Sequence, residues 1–562
     1  MQTRRSLPPE LVSRAEQASA PVDPIKILSQ EANRAEIEQI GAGEWIILYE
    51  FQSTKSGSNY YFCALAPEYC IKNVMAHDSS DLMIDHGLPG FTRSSVSGKT
   101  VTRYDRFSSA PIEPLVYVRD FHGLKPQQID ISEEFRHFHN LYHDRRNDRY
   151  IQLDERGEDI IVVEVTDTQV RAKTQYVRQF LGARNLYLLV FFDHRADAAV
   201  EPEVAKEALP NENVAKSNFR YMFHVGELML SKEKTTFSRL LGKILIPPLP
   251  IEECGVWPYD RPRKFADYII GVNAEGQHIV YTADEEELAN YFGKNPSAPH
   301  YLTPVWFRRE VLRKYYDHPD KYSVEDAYLR CGSLWSLSID NDLPHHVVVY
   351  LGDLGHLAYE EQLYWKSFNI PPAADRTSET HFRRSMLAQF TDPTAPDLVL
   401  KQKLVALQKA WEQRFGWQLF RPLQSDDAHV LKQLRIPLTE SMGEFEHQAL
   451  LLAKLIIDSL NDARLAEELG GALPDEKSIG KLERFLEAKG YPNKERDAKV
   501  LGVLQAVRST AAAHRKGEQF GRVSKELQLD DRPISEVFRE LLARVNTMLT
   551  DLQACFVRDV DE

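Results

Sequence analysis

The sequence has 562 residues, of which 43% are hydrophobic and 27% are charged, and its formal net charge is −14. The length predicts two to four domains with a sizeable core, and the composition is that of an ordinary soluble globular protein. The acidic balance argues against a protein that coats nucleic acid or a membrane surface, because both roles call for a broadly basic surface.

The cysteine pattern indicates a reducing compartment. The five cysteines, at positions 63, 70, 254, 331 and 555, are scattered and form no CxxC pair. This argues against a disulfide framework and against a cysteine-rich zinc site. The N-terminus lacks the apolar segment of a secretory signal, and no apolar run approaches the roughly 18 residues of a membrane helix. We therefore expect a cytoplasmic protein without a membrane partner.

The first part of the chain divides into a polar, proline-containing tail, residues 1–30, and a mixed α/β domain, residues 31–250. Residues 45–51 and 59–65 predict two strands joined by a Ser/Gly-rich turn. Residues 77–112 are rich in Gly, Ser and Asp and predict a loop. The segment Ser97-Gly98-Lys99-Thr100 within it resembles part of a phosphate-binding loop, but Arg93 occupies the position of the first glycine, which excludes that motif.

Residues 131–147 predict a helix that carries His137, His139 and His143. Residues four apart share a helix face, so His139 and His143 could bind a metal ion. No glutamate completes an HExxH motif between them. Packed or solvated histidines are therefore the favoured interpretation.

Residues 159–165 predict a buried strand, followed by an amphipathic helix through Val170, Val177 and Leu181 and by a strand at residues 186–192. This βαβ-like order implies a sheet partly covered by helices. Glu164 and Asp167 could belong to a nuclease metal site, although solvated carboxylates at a strand end are the favoured interpretation. Residues 195–215 predict a loop.

A second mixed α/β domain is expected at residues 251–395. It contains a predicted hairpin at 268–281, a helix at 306–316, and strands at 334–339 and 346–351. Asp340, Asp342 and Asp353 lie near the strand ends and could hold a divalent ion, but Asp340-Asn341-Asp342 is equally good turn chemistry, which we favour. A metal-dependent nuclease in this half of the chain is a weaker alternative.

The strand signal disappears after the linker at residues 391–396, and residues 396–562 predict an all-α, four-helix-type bundle. A helix through Leu400, Leu404 and Trp411 ends at Gly416, and a capping box at Ser441 opens a helix to Gly470. Further helices are predicted at 479–486 and 495–514. The last begins near Pro533 and carries an apolar seam of Val537, Leu541, Val545, Met548, Leu552 and Phe556. The fold class is thus α+β and multidomain.

A basic island stands out in this acidic chain. From Arg508 to Lys525 there are five basic residues, at 508, 515, 516, 522 and 525, against one acid, Glu518. Arg508 and His514 sit six positions apart with three alanines between them. Histidine exchanges protons near neutral pH, and arginine holds a phosphate through two parallel hydrogen bonds. The pair suits phosphodiester chemistry without a metal.

The helical region with Arg508-x5-His514 late in its third long helix resembles the HEPN superfamily, over roughly residues 396–562. That family is defined by an Arg-x(4–6)-His motif on a helical bundle and includes many metal-independent ribonucleases of toxin and antiviral defence systems. The family often has Asn, Asp or His directly after the arginine, and this chain has Ser509.

The resemblance implies an endoribonuclease with Arg508 and His514 as catalytic residues and no cofactor. Ser509, Arg515, Lys516 and Arg522 are expected to hold RNA. Six residues turn about 600° on a helix, so the two side chains point about 120° apart, and one protomer does not obviously bring both to one phosphate. A homodimer or higher homo-oligomer that packs across these helices could bring both groups to one phosphate. Alternatively, Gly517 ends the helix early and allows His514 to turn towards Arg508.

The remaining two-thirds of the chain suggests regulation. In the favoured interpretation, residues 31–395 form a sensor that keeps the ribonuclease silent until a phage or cellular trigger binds. The alternative is a non-catalytic dimerising scaffold or RNA-binding sensor protein. In a third interpretation, plain structural packing, His514 is a half-buried histidine near a helix C-terminus and Arg508 pairs with a glutamate of a neighbouring helix.

Overall fold

A computed structural model describes residues 23–76, 90–105, 112–228, 235–254, 263–372, 377–387, 391–424, 427, 429–511 and 518–557. These residues form two compact units. The first comprises residues 23–154 and 158–254, and the second comprises residues 155–157 and 263–557. The second unit therefore includes both the predicted middle domain and the predicted helical region.

The first unit is built mainly from strands. Its helices are α1 (Pro24–Ser29), α2 (Glu31–Gln39), α3 (Glu68–Ala76), α4 (Glu133–Phe138), α5 (Thr174–Arg184) and α6 (Pro202–Ala208). Its strands are β1 (Trp45–Thr54), β2 (Gly57–Pro67), β3 (Gly90–Val96), β4 (Lys99–Asp105), β5 (Glu113–Pro114), β6 (Val116–Arg119), β7 (Gln128–Ile131), β8 (Tyr142–Asp144), β9 (Arg149–Leu153), β10 (Asp159–Val165), β11 (Gln169–Lys173), β12 (Leu186–Ala198), β13 (Glu212–Ala215), β14 (Phe219–Glu227) and β15 (Thr236–Ile246).

Most of these strands join one antiparallel sheet in the order β13-β14-β15-β12-β2-β1-β11-β10-β9-β8, with β5 added beside β2. The long strand β12 is buried on both faces, because helices cover the sheet from both sides. Leu188, Val190 and Phe192 face a core that includes side chains of α1, α2, α5 and α6. Leu189 and Phe191 face a smaller core against α3.

The second unit begins with short strands and ends in helices. Its strands are β16 (Asp267–Val272), β17 (His278–Thr282), β18 (Pro304–Arg308), β19 (Tyr322–Glu325), β20 (Tyr328–Cys331), β21 (Trp335–Ser338), β22 (His346–Tyr350) and β23 (Asn369–Ile370). Its helices are α7 (Arg313–Asp317), α8 (Leu351–Gly355), α9 (Tyr359–Lys366), α10 (Glu379–Leu387), α11 (Pro396–Phe415), α12 (His429–Gln433), α13 (Met442–Ala453), α14 (Asp462–Glu468), α15 (Ser478–Ala488), α16 (Lys494–Ala511), α17 (Glu518–Leu527) and α18 (Ile534–Phe556).

The helices α11 to α18 enclose the largest hydrophobic cluster. Trp411 of α11 is fully buried there and contacts Trp417 and Phe485. The predicted seam of α18 is confirmed at its first five positions, all at most 2% exposed, while Phe556 is partly buried. Hydrophobic side chains spaced three and four residues apart give each helix one apolar face, and burial of these faces stabilises the helical region.

Several predicted elements are confirmed. The hairpin of β1 and β2, the strand β10, the hairpin of β16 and β17, and the strands β21 and β22 lie where the alternation of side chains placed them. Helix α11 ends at Gly416, whose φ of 74° is the left-handed conformation that favours glycine. The Ser97-Gly98 pair forms the turn between β3 and β4, with φ of 52° and 75°.

Four predictions of secondary structure were wrong in the first unit. Residues 131–147 form the short helix α4 and then strand β8, so His139 and His143 do not share a helix face. Residues 169–173 form β11, which pairs with β1 and β10, and the helix begins only at Thr174. The predicted loops at 77–112 and 195–215 contain β3, β4, α6 and β13.

Two predicted helices of the second unit were also wrong. At 306–316 the chain first forms β18, which pairs with β22 and β23, then a 3-10 turn, and only then α7. The helix from Ser441 does not run to Gly470, because α13 passes into a π-helical turn at Lys454–Asp458 and a new helix begins at Asp462. The expected capping box is absent: the Glu444 carboxylate accepts from the Thr439 backbone N–H and hydroxyl instead.

The chain is thus a mixed α/β protein with a C-terminal helical region, as the sequence predicts. None of the described helices combines the length and the apolar content that a membrane span requires. Of the predicted tail, residues 24–29 belong to α1, whose Leu28 is fully buried, and residues 1–22 lie outside the described part of the chain.

Candidate functional site

Helix α16 carries the candidate catalytic arginine. Its apolar side chains, including Leu501, Leu504 and Val507, are at most 3% exposed and face the helical core. Glu495 and Asp497 lie in its first turn and Arg508 in its last, which matches the charge preference of the helix dipole. Arg508 follows the buried Val507 directly and therefore lies at the edge of the buried face.

The Arg508 guanidinium forms an ion pair with Asp458. The two side chains are each 36% exposed, and Nη1 lies 2.7 Å from Oδ1. Asp458 is the last residue of the π-helical turn that follows α13, and α13 packs against α16. Because both groups are partly hydrated, the pair contributes at most about 1 kcal/mol to stability. Arg508 is consequently accessible from solvent and held by a carboxylate that another anion could replace.

Ser509 is exposed, but its hydroxyl is already engaged within the helix. The Oγ–H donates to the Gln505 carbonyl oxygen at 2.8 Å, and Oγ accepts weakly from the Gln505 side-chain amide at 3.4 Å. A serine that bonds back to the residue four positions earlier is common in helices. Ser509 can therefore offer RNA a hydrogen-bond acceptor, whereas its donor is used.

The other residues of the basic island are only partly described. Arg522 lies on α17, the next helix, and is exposed. His514, Arg515 and Lys516 lie outside the described residues. The meeting of Arg508 and His514, and the dimer that would bring it about, therefore stay predictions.

His139 and His143 of the first unit each contact another group of the protein. His139 is 5% exposed, and its Nε2 lies 2.9 Å from the Tyr176 carbonyl oxygen. Burial lowers its pKa to about 4, so the ring is neutral at pH 7. His143, which lies on the edge strand β8, pairs with Asp148. Among the described residues no three His, Cys, Asp or Glu side chains form a group that could hold a metal ion.

In the second unit, the three aspartates considered above as ligands of a divalent ion bind backbone and hydroxyl groups. Asp340 accepts from the Ser378 N–H and hydroxyl at the start of α10. Asp342 accepts from the N–H groups of Thr394 and Ala395, directly before α11. Asp353 accepts from the Tyr301 hydroxyl. The first two thus order the starts of helices, and Asp340 also makes the expected turn contact to the Asp342 N–H.

Glu164 of β10 is likewise engaged. Its Oε2 accepts from the Arg171 guanidinium across the sheet, at 2.6 Å from Nε. The neighbouring strands β10 and β11 are paired at this position, with Glu164 opposite Arg171. A cross-strand ion pair is the ordinary role of such a carboxylate.

Asp458 is the residue that sequence reasoning missed. The packing interpretation assigned Arg508 a glutamate of a neighbouring helix as its partner, and the partner in the structure is an aspartate. Asp458 follows the segment from Ala449 to Ile457, which is apolar except for Lys454, and an acid in that position on a regular helix has no defined partner. The π-helical turn and the packing of α13 on α16 place it beside Arg508, and neither feature has a sequence signal that we recognise.

Comparison of the chain with protein-family models, with curated proteins and with solved structures finds no match.

Proposed function

We propose that this protein is a metal-independent endoribonuclease, an effector of a toxin or anti-phage defence system, that cleaves RNA at a site shared by two copies of α16. The observation that carries the proposal is the placement of Arg508, the first residue of the basic island: its guanidinium is solvent-accessible, in the last turn of a well-packed helix and next to the exposed Ser509. A rigid helix that presents a phosphate-binding group at its end suits a catalytic site.

The proposed reaction is transesterification. His514 takes the proton of a 2′-hydroxyl, or gives one to the leaving 5′-oxygen, and the 2′-oxygen attacks the adjacent phosphorus. Arg508 stabilises the negative charge that develops on the phosphate oxygens. The products are a 2′,3′-cyclic phosphate and a 5′-hydroxyl, and DNA is inert because it lacks the nucleophile. Ser509, Arg515, Lys516 and Arg522 position the RNA, and no cofactor takes part.

Asp458 has a defined place in this proposal. In the absence of RNA it balances the charge of Arg508, and a phosphate must displace it to form the bidentate contact. The carboxylate therefore competes with substrate. Its replacement by asparagine keeps the shape and removes the competing charge, so RNA binding through Arg508 should strengthen.

A scaffold without catalytic activity is the second candidate, and the same ion pair favours it. Arg508 joins the end of α16 to the turn after α13, so the pair ties two elements of the helical region together. In that case Arg508→Ala and Asp458→Asn have the same consequence. Under the ribonuclease proposal they act in opposite directions.

The sensor proposal concerns the rest of the chain. Residues 31–395 bind a phage or cellular trigger and release the ribonuclease in the cytoplasm. The protein acts as a homodimer or higher homo-oligomer, since each copy of α16 is expected to complete the site of the other.

The test is growth arrest on overexpression together with RNA cleavage in EDTA by purified protein with an activator present. We expect Arg508→Ala and His514→Ala to abolish both, and Asp458→Asn to retain both. Arg464→Ala is the matched control, because Arg464 has a similar exposure of 37% and also pairs with a carboxylate, Glu467 at 2.5 Å. Cleavage that survives Arg508→Ala in folded protein, or no cleavage of any RNA during growth arrest, would refute the proposal.

A further inference from the structure

The loop between β17 and β18 presents two aromatic side chains to solvent. Phe292 is 98% exposed and Tyr291 is 78% exposed. An exposed pair of aromatic side chains at a loop tip is costly to hydrate and is the kind of group that anchors protein interfaces. We call residues 284–295 the aromatic loop.

Hydrogen bonds hold the aromatic loop in one shape. The Asn290 side-chain oxygen accepts from the N–H groups of Phe292 and Lys294, at 2.9 and 3.2 Å. The Asn295 amide donates to the Glu286 carbonyl oxygen at 2.7 Å. Tyr291 packs edge-on against His300, with ring centroids 4.5 Å apart. A loop that is ordered before binding loses little entropy when it docks.

The base of the aromatic loop is acidic. Asp284, Glu285, Glu286 and Glu287 are consecutive, and the three glutamates are exposed. Lys294 pairs with Glu286, which leaves the loop with an excess of negative charge. This charge repels phosphate groups, so neither nucleic acid nor an anionic membrane fits the loop. A partner with an apolar pocket and a basic rim fits it.

Such a pocket exists on the same chain, in the groove between α16 and α18. The groove has a volume of about 460 Å³ and is lined by Arg496, Lys499, Val500, Val503, Arg544 and Thr547. Val500 and Val503 form an apolar floor, each 7% exposed. The lining contains three cationic side chains and no carboxylate. We call it the basic groove.

Two cationic side chains of the basic groove, Arg544 and Lys499, are available for further ion pairs. Arg496 is held by Asp497 and Asp551, each at 2.7 Å. Arg544 lies 3.9 Å from Glu540, and Lys499 is exposed without an ion-pair partner among the described residues. Cationic side chains at the rim can pair with the loop glutamates and also stack on the Phe292 ring.

We propose that the aromatic loop of one copy docks in the basic groove of a second copy. In a single chain nothing covers Phe292 at the tip of the aromatic loop, and the basic groove is open to solvent. The contact joins two different surfaces, so it is heterologous and each copy offers one loop and one groove. It does not depend on the ribonuclease proposal.

Sedimentation velocity of the full chain over a range of concentrations tests the contact. We expect concentration-dependent association that weakens as salt is added, because the rim contacts are electrostatic. Phe292→Ala and Lys499→Glu should each weaken association by about 30-fold, the loss expected for an interface anchor. Tyr69→Ala, at a tyrosine that is 73% exposed in the first unit, and Lys409→Glu, at an exposed lysine of α11, should leave it unchanged.

Mixing the two variants gives the sharper result. A Phe292→Ala copy keeps its groove and a Lys499→Glu copy keeps its loop, so the mixture should form larger species than either variant alone at the same total concentration, whether or not the copies also pair through α16. A monomeric wild type, a mixture no larger than either variant alone, or variants that associate like the wild type overturns the proposal. So does RNA binding that Lys499→Glu abolishes while association is unchanged, because the groove would then be a nucleic-acid site.

Discussion

Two aspartates of the helical region each lie beside an arginine, but they differ in how deeply they are buried. Asp458 is 36% exposed beside Arg508, whereas Asp397 is fully buried. The Asp397 Oδ2 atom accepts from the Ile436 N–H at 3.2 Å and lies 3.7 Å from Arg309. Arg309 is itself only 6% exposed. Water screens the first pair and is excluded from the second, so the two carboxylates differ in their importance for folding.

We expect Asp397→Ala to lower the free energy of unfolding by about 3 to 5 kcal/mol, because it leaves buried cationic charge without its counter-ion. Asp458→Ala should cost about 1 kcal/mol or less. Urea unfolding of the full chain, followed by circular dichroism, measures both. Equal losses in the two variants would contradict the assignment of Asp397 as the buried counter-ion.

Two buried histidines make the first unit sensitive to acid. His194 of β12 is fully buried, and neither ring nitrogen has a hydrogen-bond partner among the described residues. Burial lowers the pKa of His194 to about 4, as it does for His139. The unfolded chain, with a pKa near 6.5, then binds more protons than the folded chain between these values. Stability is therefore full above about pH 6.5 and falls as the pH decreases towards 4.

Between pH 7.5 and pH 5, each of these histidines should lower the free energy of unfolding by about 2 kcal/mol. His194→Leu removes one of the two contributions without breaking a hydrogen bond, so the fall in stability between pH 7.5 and 5 should be smaller in the variant. Thermal unfolding at several pH values measures the difference. The control is His137→Leu at an exposed position of α4, and a pH profile of His194→Leu identical to the wild type would count against this explanation.

At the scale of elements, Asp342 orders the start of α11, which is the second-longest helix of the described residues. Ala395, the N-cap residue of α11, supplies no side-chain cap, and Asp342, in a loop distant in the sequence, accepts from the N–H groups of Thr394 and Ala395 instead. The same carboxylate accepts from the hydroxyls of Thr380 and Thr394. One buried side chain thus joins the strand-bearing part of the second unit to α10 and α11.

We expect Asp342→Ala to cost about 2 kcal/mol, the upper range for loss of a helix cap, because several buried donors lose their acceptor. Addition of Mg²⁺ or of EDTA should leave the Tm unchanged, since the carboxylate oxygens already accept hydrogen bonds. Differential scanning fluorimetry checks both statements. A Tm that rises with Mg²⁺ in the wild type and not in Asp342→Ala would restore the metal interpretation.

Local patterns predicted the elements whose side chains alternate or recur along a single segment. Strand β10 and the seam of α18 are examples, because one buried face fixes their periodicity. The helix predicted at 306–316 failed because Trp306 and Phe307 pair with β22 and β23, which are distant in the sequence. Tertiary pairing of this kind overrides local preference and leaves no trace in a single segment.

In the candidate site, too, local patterns predicted some features, and others depend on tertiary packing. The position of Arg508 near the end of a helix follows from the spacing of Val500, Leu504 and Val507. Its pairing with Asp458 depends on a π-helical turn and on the register of two packed helices, which sequence spacing does not determine. The basic groove was missed for a similar reason, since Lys499 and Arg544 belong to helices that meet only in the fold.

At the scale of the whole molecule, each unit has its own hydrophobic core. The first encloses the sheet core between Leu28 and Ile246. The second holds the core of the short strands and that of the helices, from Ala266 to Leu552. Buried contacts of Asp342 and Asp397 join the two cores of the second unit, so we expect it to unfold as one cooperative unit, separate from the first.

We therefore expect differential scanning calorimetry of the full chain to resolve two transitions, and single substitutions to assign them. Asp397→Ala should lower the Tm of one transition by several degrees and leave the other in place, since its buried contacts lie within the second unit. His194→Leu should reduce the acid sensitivity of the other transition alone, because His194 lies in the core of the first unit. If a single transition is seen, or if either substitution shifts both transitions equally, the two units do not unfold independently, and a trigger bound by the first unit would then act on the stability of Arg508 and its helix directly.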